Sequence, residues 1–358
     1  VKFGMLHLFE NPAGKSERQV LKEEIALMRG AEDLGFDSVW ASEHHFSEYG
    51  FCASPALTLA AIAPQTRNLR LGTGVTVLPF NHPLRIAEEI ALLDLISDGR
   101  VDFGVGRGFQ PIEYRGFHIE QSQSHEIFDE ALDIVLQAWT QPKLDYPGKH
   151  FRFKVERVMP KPLQQPHPPV WVAAVSGDSF AAAGKRGFNL LCAPSFGFYG
   201  DAAAHMIKRY HDGLKLAPNP SKPRDIGVLC MVYCGETEEA ARRDFAGPVL
   251  WTYRTLAKYI APPAGQPPAP GYEIYEHLRT ICASVDWDQL KNEGAVICGN
   301  PDSCIEQIAA LRQQFGATQL LCWTRMGGLD SDKVTRSMAL MSKHVIPHFR
   351  DEDKDAAN

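Results

Sequence analysis

Seven residues, WASEHHF (Trp40 to Phe46), place a glutamate and two adjacent histidines directly after GFDSVW, a run with the look of a buried strand. Polar residues where a buried strand surfaces are there for chemistry or for a metal. Glu43, His44 and His45 support three readings. A metal site would need more carboxylate, histidine or cysteine ligands on neighbouring strand ends, and the sequence offers too few. One histidine can be a structural hydrogen-bonding group whose tautomer Glu43 fixes. Acid–base work beside a bound cofactor is the third. Adjacent strand residues point to opposite faces, so both histidines face inward only if the strand has ended before them.

A second group of residues is suited to an anion. SGDS (Ser176 to Ser179) follows the apolar run PPVWVAAV and opens a helical stretch. Ser176 is placed as the N-cap, Gly177 starts the helix, and Ser179 adds a hydroxyl in the first turn. Free backbone N–H groups and the helix dipole favour a phosphate there. Arg107, between Gly106 and Gly108, supplies a fixed charge on a loop where backbone can approach a ligand closely. At the last apolar run, QLLCWTR, Trp323 and Arg325 stand where a substrate would be held, with Arg325 a candidate to orient a carboxylate.

Positioning these groups falls to a repeating pattern. VKFGMLHLF, FDSVWASEHH, LRLGTGVTVLP, RVDFGVGRG, PPVWVAAV, FNLLCAP, DIGVLCMVYCG and TQLLCWTRMGG read as strands, each followed by a stretch of helical periodicity. Eight strand–helix units predict an α/β fold, a closed (β/α)8 TIM barrel, whose active site lies at the C-terminal strand ends. The first strand is not followed by G-x-G-x-x-G, which counts against an open doubly wound sheet. Residues 140–160 read as an inserted β-hairpin. Residues 261–297, opening with APPAGQPPAPGY, read as a mobile lid before the last strand. Residues 1–350 form one domain, with 351–358 a disordered tail.

The 358 residues are 44% hydrophobic and 22% charged with a net charge of −6, which is enough for a large core and gives no footprint for nucleic acid or membrane. No apolar run is long enough to span a bilayer, and the first residues lack the form of a signal peptide, so a cytoplasmic location is expected. The eight cysteines contain no C-x-x-C pair and read as buried free thiols.

WASEHHFSEYG, TVLPFNHPLRIAEEIALLD, GRVDFGVGRGF and GNPDSCIEQI resemble the bacterial luciferase family of flavin-dependent monooxygenases, with likeness to the alkanal monooxygenase α chain. The resemblance implies a barrel that takes reduced FMN from a separate NAD(P)H:flavin reductase and uses O2 through a flavin C4a-peroxide to oxygenate a small organic molecule. It also implies His44 as acid–base near the flavin, His45 in support of flavin binding, and Arg107, Ser176 and Ser179 on the FMN phosphate. It further implies a cis peptide at Gly74–Val75 beside the flavin and a homodimer built on helices near 55–65 and 83–97. Relatives in the same superfamily use the deazaflavin F420 for hydride transfer, and others bind flavin without turnover. Luciferases carry a cysteine where this chain has Gly106. The space left there, together with Arg325, predicts a substrate larger and more polar than a linear aldehyde.

Overall fold

The computed structural model describes residues 1–12, 14–194, 200–262 and 265–355. In chain order the strands are β1 (Lys2–His7), β2 (Ser38–Ala41), β3 (Arg70–Thr73), β4 (Thr76–Val77), β5 (Val101–Gly106) and β6 (Leu144–Pro147). They continue as β7 (Arg152–Val155), β8 (Val170–Ala174), β9 (Asn189–Cys192), β10 (Ile226–Cys234), β11 (Val296–Gly299) and β12 (Gln319–Trp323). Parallel pairing runs β1–β2–β3–β5–β8–β9–β10–β12, and β12 returns to β1. This closed barrel of eight strands is built from the eight runs the sequence marks. The third run is interrupted: the Gly74–Val75 peptide is cis, and the chain resumes as β4 against the end of β5. β6 and β7 form the antiparallel hairpin expected within 140–160.

Helices begin where their own sequences cap them. Ser16, Ser54, Ser176, Thr237 and Asn300 each accept a hydrogen bond from the backbone N–H three residues on. The two segments set apart in the sequence carry regular structure. The described residues of the expected mobile lid, 261–297, contain helices Ile274–Ser284 and Trp287–Asn292 and run into β11, which pairs with the C-terminal half of β10. Their apolar positions, Tyr272, Leu278, Cys282 and Leu290, are buried, and burial of that kind holds the segment down. The tail is ordered further than expected as well. Residues 351–355 finish the helix Ile346–Asp355, which is anchored by Phe349 against Phe3 and by Arg350 donating to the Gly35 carbonyl. Residues 356–358 lie outside the described residues.

Two indoles fill the barrel beneath its C-terminal mouth. Trp40 and Trp171 meet edge to face, with ring centroids 5.5 Å apart. A side chain at Gly72 would put its Cβ 2.1 Å from the Trp40 ring, so that strand gives up its own side chain to admit the indole. Trp40 Nε1 donates to Ser38 Oγ (2.9 Å), and Trp171 Nε1 donates to Asp102 (3.2 Å), leaving neither polar edge unpaired.

At the mouth, the fully buried Glu10 ties three elements together. It accepts from Thr252 Oγ1 of the helix Glu238–Tyr259 (2.7 Å) and from the Gly327 backbone N–H beyond β12 (2.7 Å). Burial pushes its carboxyl up to about 8 despite both bonds. The folded protein therefore holds a proton that the unfolded chain releases, and stability is lost as pH rises from the ordinary value of 4.5 to about 8. One such proton gives a slope of up to about 1.4 kcal/mol per pH unit. Glu10→Gln cannot ionise, so thermal unfolding across that window is expected to show a flatter pH dependence for the variant than for wild type. Parallel curves would show that Glu10 ionises in the folded protein as freely as in water.

Candidate active site

β2 ends at Ala41, so Ser42 to His45 run outside the ladder and the two histidine side chains are free to diverge. His44 lines a cavity at the C-terminal strand ends. Its Nδ1 lies 3.1 Å from Glu113 Oε1, and its ring meets Tyr49 edge to face at 5.0 Å. A carboxylate at Glu113 only accepts, so Nδ1 carries the proton and Nε2 is the nitrogen left for exchange. His45 does not line the cavity. Its Nε2 is 3.1 Å from Glu43 Oε1, and Phe46, Phe80 and Phe117 pack round its ring.

Glu43 has little left for chemistry. Its Oε2 accepts from the Val77 N–H (2.8 Å), and its Oε1 is shared by Asn81 Nδ2 (2.9 Å) and His45. It acts as a buried bracket between the end of β2 and the end of β4. Glu113, absent from the sequence reading, is the carboxylate that meets His44 Nδ1, and it also accepts from the His45 backbone N–H (2.9 Å). It stands with Gln110 at the short helix Pro111–Gly116 after β5. The available signal was its place in the first turn of a proline-opened helix six residues past Arg107. Among the described residues, no cluster of histidine, cysteine or acidic side chains is arranged to hold a metal.

The cavity measures about 200 Å3, and its walls are mostly apolar. Arg107 and Ser179, which follow the neighbouring strands β5 and β8, both line it. The half-buried Arg107 has no carboxylate partner among the described residues; its guanidinium lies over the Tyr272 ring, 5.2 Å from the centroid. Ser176 and Ser179 form a reciprocal cap on the helix Gly177–Arg186, in which Ser176 Oγ accepts from the Ser179 N–H and Ser179 Oγ from the Ser176 N–H. This leaves the N–H groups of Gly177 and Asp178 without partners among the described residues. An unpaired guanidinium beside an open helix N-terminus fits a phosphate. Ser176 and Gly177 do not line the cavity, whereas Gly74, Val75 and Gly106 form wall.

Two expectations fail here. Gly106 leaves no open space: a Cβ there would stand 2.7 Å from Val75 Cγ2, next to where β4 pairs with the end of β5. Arg325 is not at the mouth. It is 1% exposed and turns outward to the helix Glu17–Gly30, where Nη1 donates to Glu24 (2.7 Å) and Nη2 to Glu23 (2.8 Å). Burial works against the Glu24 charge, but Arg325 and the hydrogen bond from His7 outweigh it and hold the carboxyl below its usual range. Such a buried charge needs its partners and cannot be lent to a substrate. Trp323 does line the cavity, as expected.

A larger outer pocket of about 650 Å3 shares Phe109, Ile260 and Tyr275 with the inner cavity. Phe109 and Tyr275 are stacked between the two, 5.6 Å apart with planes 2° from parallel. The Tyr272 hydroxyl meets Tyr114 and Ser124 (both 2.9 Å) and donates to the Gly108 carbonyl (3.1 Å), which fastens the segment before helix Ile274–Ser284 across the mouth.

Comparison with known proteins agrees with this geometry. The Luciferase-like monooxygenase family profile matches residues 1–319. The alkanal monooxygenase alpha chain of the Kryptophanaron alfredi symbiont is 32% identical over 191 residues, 53% of this chain and 54% of its own. The crystal structure of the monooxygenase RslO1 from Streptomyces bottropensis superposes with a TM-score of 0.86 at 30% identity, covering 98% of this chain and 100% of that one. The oxygenating constituent of 3,6-diketocamphane monooxygenase of Pseudomonas putida, solved with FMN, shares the fold with a TM-score of 0.78 at 23% identity, over 97% and 98% of the two chains. With its barrel, its E-H-H turn and its phosphate-suited end, this chain belongs to the luciferase-like monooxygenase family of oxidoreductases.

Proposed function

We propose that the protein is the oxygenase component of a two-component, FMN-dependent monooxygenase that receives reduced FMN from a separate NAD(P)H:flavin reductase and uses O2 to oxygenate a small organic molecule. The observation that carries this reading is an unpaired Arg107 lining one apolar cavity together with His44 and with Ser179, which stands in the open first turn of the helix Gly177–Arg186. Bound there, reduced flavin would supply the electrons that activate O2. Arg107, Ser179 and the backbone N–H groups would hold its phosphate, and the Gly74–Val75 turn with Gly106 would support the ring. His44, oriented by Glu113, would hold or move a proton at Nε2. The stacked Phe109–Tyr275 pair would keep bulk water from the reacting edge. The 3,6-diketocamphane enzyme, described as an oxygenating constituent and solved with FMN, supports both the cofactor and the two-component arrangement.

The test is to add reduced FMN to the protein without oxygen and then admit air. One-to-one binding with flavin reoxidation slower than in free solution is expected. Tight binding of reduced F420 with none of reduced FMN would move the chain to the hydride-transferring reading. Binding with reoxidation as fast as in solution would fit a flavin binder without turnover.

The working unit we propose is a homodimer. Leu57 is 74% exposed on helix Pro55–Ile62, and Leu92, Leu95 and Ile96 are exposed on the neighbouring helix Pro83–Ile96. An apolar surface spread over two adjacent helices suits a two-fold contact. Sedimentation at micromolar concentration is expected to give a dimer, and Leu57→Glu with Leu92→Glu to give monomers. A monomeric wild type would refute the assignment. Among the described residues, no helix is long and apolar enough to cross a membrane.

A further inference from the structure

Leu8, Leu256, Ile260 and Trp323 bring three separate segments of the chain to the inner cavity. One buried side chain ties these segments together and has no part in the chemistry above. Glu10, just after Leu8 and 0% exposed, accepts from Thr252 Oγ1, one helical turn before Leu256, and from the Gly327 N–H, shortly after Trp323. Helix Glu238–Tyr259 is weak where this tie meets it. Pro248 stands inside the helix and has no N–H to donate to the preceding turn. Gly327 packs directly on that point, since a Cβ there would lie 2.6 Å from Pro248 Cα. The stretch 249–260, which carries Leu256 and Ile260, is therefore joined to the rest of its helix by one bond fewer. Its far end has a second clasp, Lys258 on Glu48 (2.9 Å), but that pair is exposed and holds weakly.

What faces Glu10 decides its charge. Glu24 arrives from the helix Glu17–Gly30, and its negative charge opposes ionisation of Glu10. Arg325, beyond β12, favours it, but Glu23 and Glu24 already bond to that guanidinium. Tyr49, after β2, faces the same carboxyl, and the helix Glu238–Tyr259 offers it the uncharged Thr252. A neutral Glu10 suits this closed arrangement. A carboxylate would put one more buried anion beside a cation that two others share. Admitting water relieves that cost, and the stretch after Pro248, with its missing helix bond, is a cover able to move.

We propose that Glu10 is a latch worked by protonation: neutral, it holds the stretch 249–260 closed over the inner cavity, and ionised, it lets that stretch swing out. The latch belongs to the ligand-free chain and does not rest on the flavin reading. In the closed form burial lifts the carboxyl to about 8, while in the open, hydrated form it returns towards the ordinary 4.5. The closed form thus keeps a proton that the open form releases. Opening becomes more favourable as pH rises from 4.5, by up to about tenfold per pH unit, and levels off near 8. The cavity is shut most firmly on the acid side of neutrality and exchanges its contents most readily near pH 8.

The test is hydrogen exchange followed by mass spectrometry on the full chain, from about pH 5.5 to about pH 8, with protection measured against an unstructured chain at each pH. In wild type, 249–260 are expected to be less protected than the core strand β5, and to lose protection by up to about tenfold per pH unit. Glu10→Gln keeps an acceptor and cannot ionise, so its protection over 249–260 should be flat across the range. Thr252→Val removes the bond to the helix and should lower protection there by about tenfold at the acid end. Should Glu10→Gln not fold, the wild-type slope and Thr252→Val decide between the same outcomes. Protection of 249–260 equal to that of β5 at every pH would show that the stretch opens only with the whole barrel, and would overturn the latch. A local opening with no pH dependence in wild type, or with the same dependence in Glu10→Gln, would overturn it equally.

Discussion

Replacing His44 with alanine is expected to leave reduced FMN bound and to lower turnover by roughly 10²-fold or more. His44 is the one histidine of the pair that reaches the cavity, and Glu113 at 3.1 Å holds its Nδ1–H and turns Nε2 to the task. The loss belongs to proton movement, so it should appear in kcat with little change in flavin affinity. Glu113→Gln supplies the contrast. An amide keeps an oxygen for Nδ1–H but removes the negative charge that steadies a protonated ring, so turnover should fall less and its pH profile should move. His45→Ala should act differently again, because that ring is a buried prop for Glu43 and for Phe80 and Phe117, and its loss should show first as lower thermal stability. Measured turnover of His44→Ala equal to wild type would remove the acid–base assignment.

The strands and the cap at Ser176 were legible because their causes are local. Apolar runs set the strands, and the serine that opens SGDS sets a helix start whatever lies elsewhere in the chain. The direction of the two histidines was half legible: the alternation rule shows that they diverge or leave the strand, but which one meets the cavity depends on Glu113, whose side chain arrives from 69 positions away. Arg325 was misread for the same kind of reason. A cation just past a barrel strand is expected near the mouth, but Glu24 and Glu23, about 300 positions earlier, claim it on the outer side. At Gly106 the missing side chain suggested space, yet the space is set by the path of the chain at Val75, which the residue types alone do not reveal. The helices within 261–297 were hidden by composition. Its proline-rich opening reads as loose chain, while the pairing of β11 with β10 lies in contacts between distant residues.

Arg107→Ala is expected to weaken FMN binding by tenfold or more while barely changing the affinity for riboflavin, which lacks the phosphate. The basis is the state of the side chain in this structure. Its guanidinium has no carboxylate to satisfy it among the described residues, and its only described support is the Tyr272 ring. A cation kept half-buried and unpaired is available for a charge-assisted bond to phosphate, worth about 1.5–3 kcal/mol. The same residue also has a structural share, because its backbone carbonyl accepts from Tyr114, whose hydroxyl meets Tyr272 across the mouth. Alanine keeps that carbonyl, so the mouth should stay closed and the riboflavin affinity should report it. Tyr272→Leu separates the two roles from the other side: it removes the ring under the guanidinium and the hydroxyl that fastens the segment, and should weaken FMN and riboflavin together. Should Arg107→Ala instead weaken both ligands equally, the arginine would be holding the mouth rather than the phosphate, and the anion site would reduce to the helix N-terminus at Gly177.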